Sequence, residues 1–226
     1  SATLTGFEHV AGGGGNDVIA GGGGANSLLG GNGDDTIDGG EGNDVLDGGD
    51  GGDTLVGGND VDTLTGGAGA DTLTGGAEND TFILGAGDGD NDVIADFTTD
   101  FLDIDGLTLS DLRGTGIGVE TADWTTAGGL GSNTGLFIAD AAIISLTSAG
   151  IVAGASSDVA TAIESEEEDE FYLLVSDGVD AVLARIADSD DDFTSTDVTI
   201  VATLLGLSAT DLQGLTTAQF VDWNIV

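Results

Sequence analysis

From residue 12 to residue 83 the chain repeats one pattern of apolar and polar positions every nine residues, with nothing left over between copies. The copies read GGGGNDVIA, GGGGANSLL, GGNGDDTID, GGEGNDVLD, GGDGGDTLV, GGNDVDTLT, GGAGADTLT and GGAENDTFI. Position 8 is large and apolar in every copy: Ile19, Leu28, Ile37, Leu46, Leu55, Leu64, Leu73 and Phe82. An apolar residue kept every ninth position, beside glycines at positions 1, 2 and 4, predicts a turn of six residues and a strand of three. The middle strand residues then form an inward ladder. A flexible Gly/Asp-rich linker would not keep position 8 apolar throughout.

Position 6 carries the candidate chemistry. It is Asp17, Asn26, Asp35, Asp44, Asp53, Asp62, Asp71 and Asp80. A carboxylate in a turn, with turn carbonyls nearby, offers oxygen-only ligands that suit a hard cation such as Ca2+ better than a transition metal. The pattern G-G-x-G-x-D-x-U-x resembles the RTX (repeats-in-toxin) family of secreted proteins, whose arrays bind calcium and fold as a parallel β-roll. The resemblance implies two nonapeptides per coil, with alternate repeats stacked on one side. It therefore splits the row in two. Asp17, Asp35, Asp53 and Asp71 lie in complete turns. Asn26, Asp44, Asp62 and Asp80 share a row with every irregularity: Asn26 itself, and Asp60 and Glu78 in place of the position-4 glycine. One regular and one altered row are expected, with about six inter-coil sites.

Around the array, Thr3–Val10 reads as a strand leading in, with His9 on its surface. An array that begins this way leaves a coil end open, to be met by preceding chain or by a docked partner. Residues 84–97 (LGAGDGDNDVIADF) resemble a terminal RTX coil, in which Asp88, Asp90 and Asp92 complete a last metal site. Phe97, Leu102 and Ile104 are expected to cover the apolar end. Residues 1–107 are thus read as a calcium-binding β-roll with a cap strand. Residues 108–226 are read as a β-rich domain with minor helix. There, Ser156 and Ser157 precede a short helical pattern, and 128–135 reads as a loop. Residues 164–170 (ESEEEDE) are a charge run. Phe171–Ile186 reads as a hairpin about Asp177-Gly178, and Val198–Leu207 as an apolar strand. Asp188, Asp190 and Asp192 form either a calcium loop or an ordinary acidic turn; Phe193 and Thr199 depart from the EF-hand pattern. The fold class is mainly β: a parallel β-roll followed by a mostly β, acidic capping and secretion domain.

Charge narrows the function. The chain has 226 residues, 42 of them acidic, against Arg113 and Arg185 alone on the basic side, for a net charge of −40. Nucleic acid and anionic membrane surfaces are excluded as direct partners. Such self-repulsion opposes compaction unless cations bind, so folding is expected to be coupled to metal. There is no cysteine, hence neither disulfide nor thiol chemistry. No stretch suits a membrane span, and the N-terminus lacks signal-peptide regions; if this is the native start, an extracellular destination needs a route that does not cleave an N-terminal signal.

No catalytic residue is identified. One histidine cannot supply H-E-x-x-H, and G-x-S-x-G is absent. Thr54, Thr63, Thr72 and Thr81 share one strand position, an ice-binding pattern that good outward strand residues explain as well. The resemblance to RTX proteins implies export through a type I exporter and folding outside the cell, where calcium is plentiful. Two roles stay open. One is an extracellular structural protein that self-assembles as a homo-oligomer, in a surface layer or filament. The other is the C-terminal calcium-binding and secretion module of a larger exoprotein such as an adhesin.

Overall fold

The computed structural model describes residues 3–85, 91–97, 100–105, 119–122, 136–139, 170–176, 179–187 and 198–207. The chain divides into two units, one carrying Ser1–Asp105 and the other Gly106–Thr217. Among the described residues every regular element is a strand.

The first unit begins with β1 (Thr3–Thr5), β2 (His9–Gly14), β3 (Val18–Ala20), β4 (Ser27–Asn32), β5 (Thr36–Glu41) and β6 (Val45–Asp50). It continues with β7 (Thr54–Asn59), β8 (Thr63–Ala68), β9 (Thr72–Gly76), β10 (Thr81–Gly85), β11 (Asp92–Ile94) and β12 (Phe101–Asp105). Odd strands stack as β1-β3-β5-β7-β9-β11 and even strands as β2-β4-β6-β8-β10-β12, all parallel. The register is one coil of two repeats: Ile19 pairs with Ile37, Leu28 with Leu46, and Leu46 with Leu64. This is the expected parallel β-roll.

The eight position-8 side chains are at most 1% exposed and form the core between the two sheets. At roughly 1.5–3 kcal/mol for each large aliphatic side chain buried, this ladder is the main apolar stabilisation of the unit. The strands are longer than the sequence suggests. From β4 to β8 each has six residues, positions 7–9 of one repeat and 1–3 of the next. The in-out alternation runs on through position 1, which is buried in β4 to β7, so the turn shrinks to positions 4–6. Position 2 has to be glycine inside this strand. Gly49 has φ of +106°, and a Cβ there would run into the carbonyl oxygen of Gly31 on the preceding coil.

The lead-in also differs from expectation. It is two strands rather than one, because Gly6 turns the chain with φ of +73°. Leu4 pairs with Ile19 and Val10 with Leu28, so the segment already makes both sides of a coil. His9 is exposed on β2. At the other end, Phe97 is buried and its ring lies 6.2 Å from that of Phe82, so it caps the ladder as expected. Leu84 and Ile94 are buried as well. Leu102 and Ile104 take register positions opposite Phe82 and Leu84. The four threonines are divided between the sheets: Thr54 and Thr72 lie on β7 and β9, Thr63 and Thr81 on β8 and β10. No single face carries them all.

In the second unit, β13 (Val119–Ala122) and β14 (Leu136–Ala139) pair in parallel, and β14 pairs in parallel with β15 (Glu170–Ser176). The expected hairpin is present: β15 runs antiparallel to β16 (Ala181–Ala187), and β16 to β17 (Val198–Leu204). Its connection is four residues rather than two, because Ser176 pairs with Ala181. Ala181, Val182, Leu183 and Ala184 are all buried, so both faces of β16 are covered. Asp177-Gly178, the helical pattern after Ser156 and Ser157, the 128–135 loop, most of the charge run, and Asp188, Asp190 and Asp192 lie outside the described residues.

Candidate metal centre

The turns of the roll line up into two buried rows of position-6 side chains. Asp17, Asp35, Asp53 and Asp71 share one side and Asn26, Asp44, Asp62 and Asp80 the other, all 6% exposed or less. Each row is a hydrogen-bonded chain running from coil to coil. The backbone N–H of Asp17 donates to Oδ1 of Asp35, that of Asp35 to Asp53, and that of Asp53 to Asp71, each at 2.7 Å. On the other side Asn26 donates to Asp44, Asp44 to Asp62 and Asp62 to Asp80, at 2.7, 2.8 and 2.9 Å.

One carboxylate oxygen is thus consumed by the fold. The second, Oδ2 of Asp35, Asp44, Asp53, Asp62 and Asp80, is buried and meets no hydrogen-bond donor. An ionised carboxylate oxygen left dry in this way is costly unless a cation meets it. Position 1 of the repeat shows what surrounds it. At Gly30 the space a Cβ would fill is bounded by Asp35 Oδ2 and the carbonyl oxygen of Gly48. The same pairing recurs at Gly39 with Asp44 and Gly57, at Gly48 with Asp53 and Gly66, and at Gly57 with Asp62 and Gly75. Carboxylate and carbonyl oxygens therefore converge beside Gly30, Gly39, Gly48 and Gly57. Among the described residues no three His, Cys, Asp or Glu side chains group together, so a bound cation takes part of its shell from backbone carbonyls. That donor set, all oxygen and mostly neutral, fits Ca2+.

The electrostatics of the position-6 carboxylates agree. Burial pushes the Asp62 carboxyl up to about 7, against the opposing hydrogen bond from the Asp44 N–H and with help from the charges of Asp80, Asp44 and Asp60. Burial pushes Asp80 up to about 6, with Asp100, Asp96 and Glu78 adding to the effect and the Asp62 N–H opposing it. Asp44, Asp53 and Asp47 are raised as well, burial being the main cause in each. For Asp44, Asp53, Asp62 and Asp80 burial disfavours the charged form, a cost that a bound cation would offset.

The turns differ in detail. Asn26 keeps its place in the row, but its Oδ1 accepts the Gly22 N–H at 2.8 Å, so this turn satisfies its own side chain. Asp60 and Glu78 adopt φ of +74° and +73° where other turns use glycine, and their carboxylates knit the turn instead. Gly42 N–H donates to Asp60 at 3.1 Å and Asp60 N–H to Glu78 at 3.0 Å.

The rows also run further than the repeats. Asp71 N–H donates to Asp92 Oδ1 at 3.0 Å, and Asp80 N–H to Asp100 Oδ1 at 3.1 Å. Asp92 thus joins the hydrogen-bonded row, whereas Asp88 and Asp90 lie outside the described residues. Asp100 falls outside the nine-residue period because the separations here are 21 and 20 residues. The signal that remains is D-x-U-x: Asp92-Val-Ile94 and Asp100-Phe-Leu102 keep the end of the repeat while losing its glycines. Asp96, also unmarked by the period, accepts from both Gly75 and Gly76 N–H at 2.9 and 2.8 Å and closes the last turn.

Comparison with protein families agrees with this geometry. The family described as RTX calcium-binding nonapeptide repeat (4 copies) matches residues 4–37, 11–46, 21–55, 47–82 and 56–102. No curated protein matches the chain. A solved structure, the AlgE6R3 subunit of the Azotobacter vinelandii mannuronan C5-epimerase, is similar at 19% identity with a TM-score of 0.34. The match covers 92% of this chain and 78% of that one. Residues 4–102 of this chain are similar to RTX calcium-binding nonapeptide repeats, in keeping with a parallel β-roll that binds Ca2+.

Proposed function

We propose that this is a secreted, extracellular structural protein that folds on binding calcium and then self-assembles, after passage through a type I exporter. The observation that carries the reading is the pair of carboxylate rows with buried, donor-free Oδ2 atoms. Calcium supplies the positive charge that lets these rows stay ionised inside the fold. The chain's own residues do the rest. Position-6 N–H groups tie each coil to the next, position-1 glycines leave room beside the carboxylates, and the apolar ladder holds the two sheets together. Where calcium is scarce, a net charge of −40 keeps the chain expanded and fit for threading. Where it is on the order of 10⁻⁴–10⁻³ M, the range of extracellular calcium modules, the roll closes.

Support for assembly comes from the ends of the even-strand sheet. Among the described residues β2 and β12 each have one neighbour in it, so a strand edge is available at both ends. A contact between such unlike ends is heterologous and propagates. This reading assigns the chain no catalytic role. The second reading, a calcium and secretion module of a larger exoprotein, is favoured by the same edge of β2, onto which a preceding coil would pair. Light scattering with electron microscopy during a titration from EGTA to ~10 mM calcium separates the two. Ordered filaments or sheets that form as the roll folds support assembly. A folded protein that stays monomeric supports the module.

A further inference from the structure

Asn32-Gly33 is the one Asn-Gly pair in the chain. It sits where β4 ends, at positions 3 and 4 of the third repeat. Such a pair is chemically labile because glycine has no Cβ to obstruct its own nitrogen. The Gly33 nitrogen attacks Cγ of Asn32, the new N–C bond closes a five-membered succinimide, and ammonia leaves with the side-chain nitrogen. Water then adds to one of the two ring carbonyls. The ring opens to aspartate or to isoaspartate, whose backbone runs through the side-chain carbon. The net change is one water in and one ammonia out, with no oxidant or reductant.

For that attack the Gly33 nitrogen must lose its proton and swing toward Cγ. The roll holds this peptide unit from both sides. The Asn32 carbonyl accepts the Gly15 N–H at 2.6 Å, and the Gly33 N–H donates to the Asp50 carbonyl at 2.7 Å. Asn32 itself pairs with Gly14 on one coil and Asp50 on the other. Its side chain is exposed, so burial does not protect it. The protection comes from the two coils that grip the peptide.

We infer that Asn32-Gly33 is a calcium-guarded deamidation site, stable in the folded roll and consumed in the calcium-free chain. The inference rests on the calcium-coupled folding proposed above. Its products weaken the fold that guarded it. Aspartate adds a negative charge near Asp34 and Asp50. Isoaspartate adds a methylene to the backbone of β4, which breaks the coil-to-coil register there. A chain held without calcium therefore needs more calcium to refold, through an irreversible change at Asn32.

The test holds the purified protein in EGTA, in calcium, and in calcium with urea, and follows Asn32 by peptide mass spectrometry with isoaspartate detection. Circular dichroism on the same samples reports folding separately from chemistry. Loss of Asn32 in calcium alone should be at least about tenfold slower than in EGTA, as expected when reaction requires a local opening. The urea sample should react like the EGTA sample despite its calcium. Equal rates in the folded and urea samples would overturn the inference, as would an Asn32 that survives unfolding. If the EGTA sample remains folded, calcium-coupled folding fails, and the folded-versus-urea contrast still decides the clamp. In the Asn32→Asp variant the calcium midpoint should shift less than in the aged protein, which also contains isoaspartate.

Discussion

The backbone N–H of Asp35 is bonded to Oδ1 of Asp53 at 2.7 Å, one full coil later, while Oδ2 of the same Asp53 meets no donor. The two oxygens of one carboxylate thus have separate duties. Oδ1 is part of the scaffold, and Oδ2 faces the carbonyl-lined space beside Gly48.

Asp53→Ala removes both at once. It leaves the buried Asp35 N–H unpaired, a loss of about 1–3 kcal/mol, and it deletes a metal ligand. The calcium midpoint for folding, read by circular dichroism, should rise several-fold. Asn26→Ala should move it less, since Asn26 spends its oxygen on the Gly22 N–H. Equal shifts would refute a difference between the rows.

The reverse substitution, Asn26→Asp, places a charged oxygen beside the Gly39 carbonyl and restores the repeat. Equilibrium dialysis should show a lower calcium requirement than wild type. An unchanged requirement would mean that the second turn does not contribute a site.

Acidity should oppose calcium. In the unfolded chain Asp62 and Asp80 titrate near ~3.9, the ordinary carboxylate value. In the metal-free roll they are raised to about 7 and about 6. The folded state therefore binds more protons than the unfolded one between those limits, and metal-free stability falls as pH rises through about 4 to 7. Protons then compete with calcium, so the calcium midpoint should climb as pH is lowered below about 7. Titrations at several pH values check this; midpoints that do not move between about pH 5 and 8 would rule it out.

Two apolar positions separate core from surface. Leu55→Ala empties a site in the inner ladder and should cost about 2–5 kcal/mol in denaturant titrations with calcium present. Val45, 50% exposed on the outer face of β6, should tolerate Ala within about 0.5 kcal/mol.

How much of this was legible in the sequence follows from what each residue obeys. The ladder from Ile19 to Phe82 and the rows from Asp17 to Asp80 answer to a period, and a period can be read from letters alone. The split into two rows came with the family resemblance, and the pairing of Leu28 with Leu46 realises it. Strand length does not show in the letters because glycine reads as a turn residue, whereas Gly39 and Gly48 continue the ladder with inward positions too crowded for a Cβ. Asp60 and Glu78 looked like losses, yet they replace a glycine by supplying an acceptor to the neighbouring coil. Asp96 and Asp100 were invisible to the period because irregular spacers shift them out of phase, although space brings them back into line.

The coil-long register also sets how such a gene can change length. Removing one whole coil of two nonapeptides returns every downstream strand to its own sheet and every carboxylate to its own row. Removing a single nonapeptide exchanges the two sheets from that point on, seating Asn26, Asp60 and Glu78 among neighbours they do not match. Length variants of this chain should therefore come in even numbers of repeats.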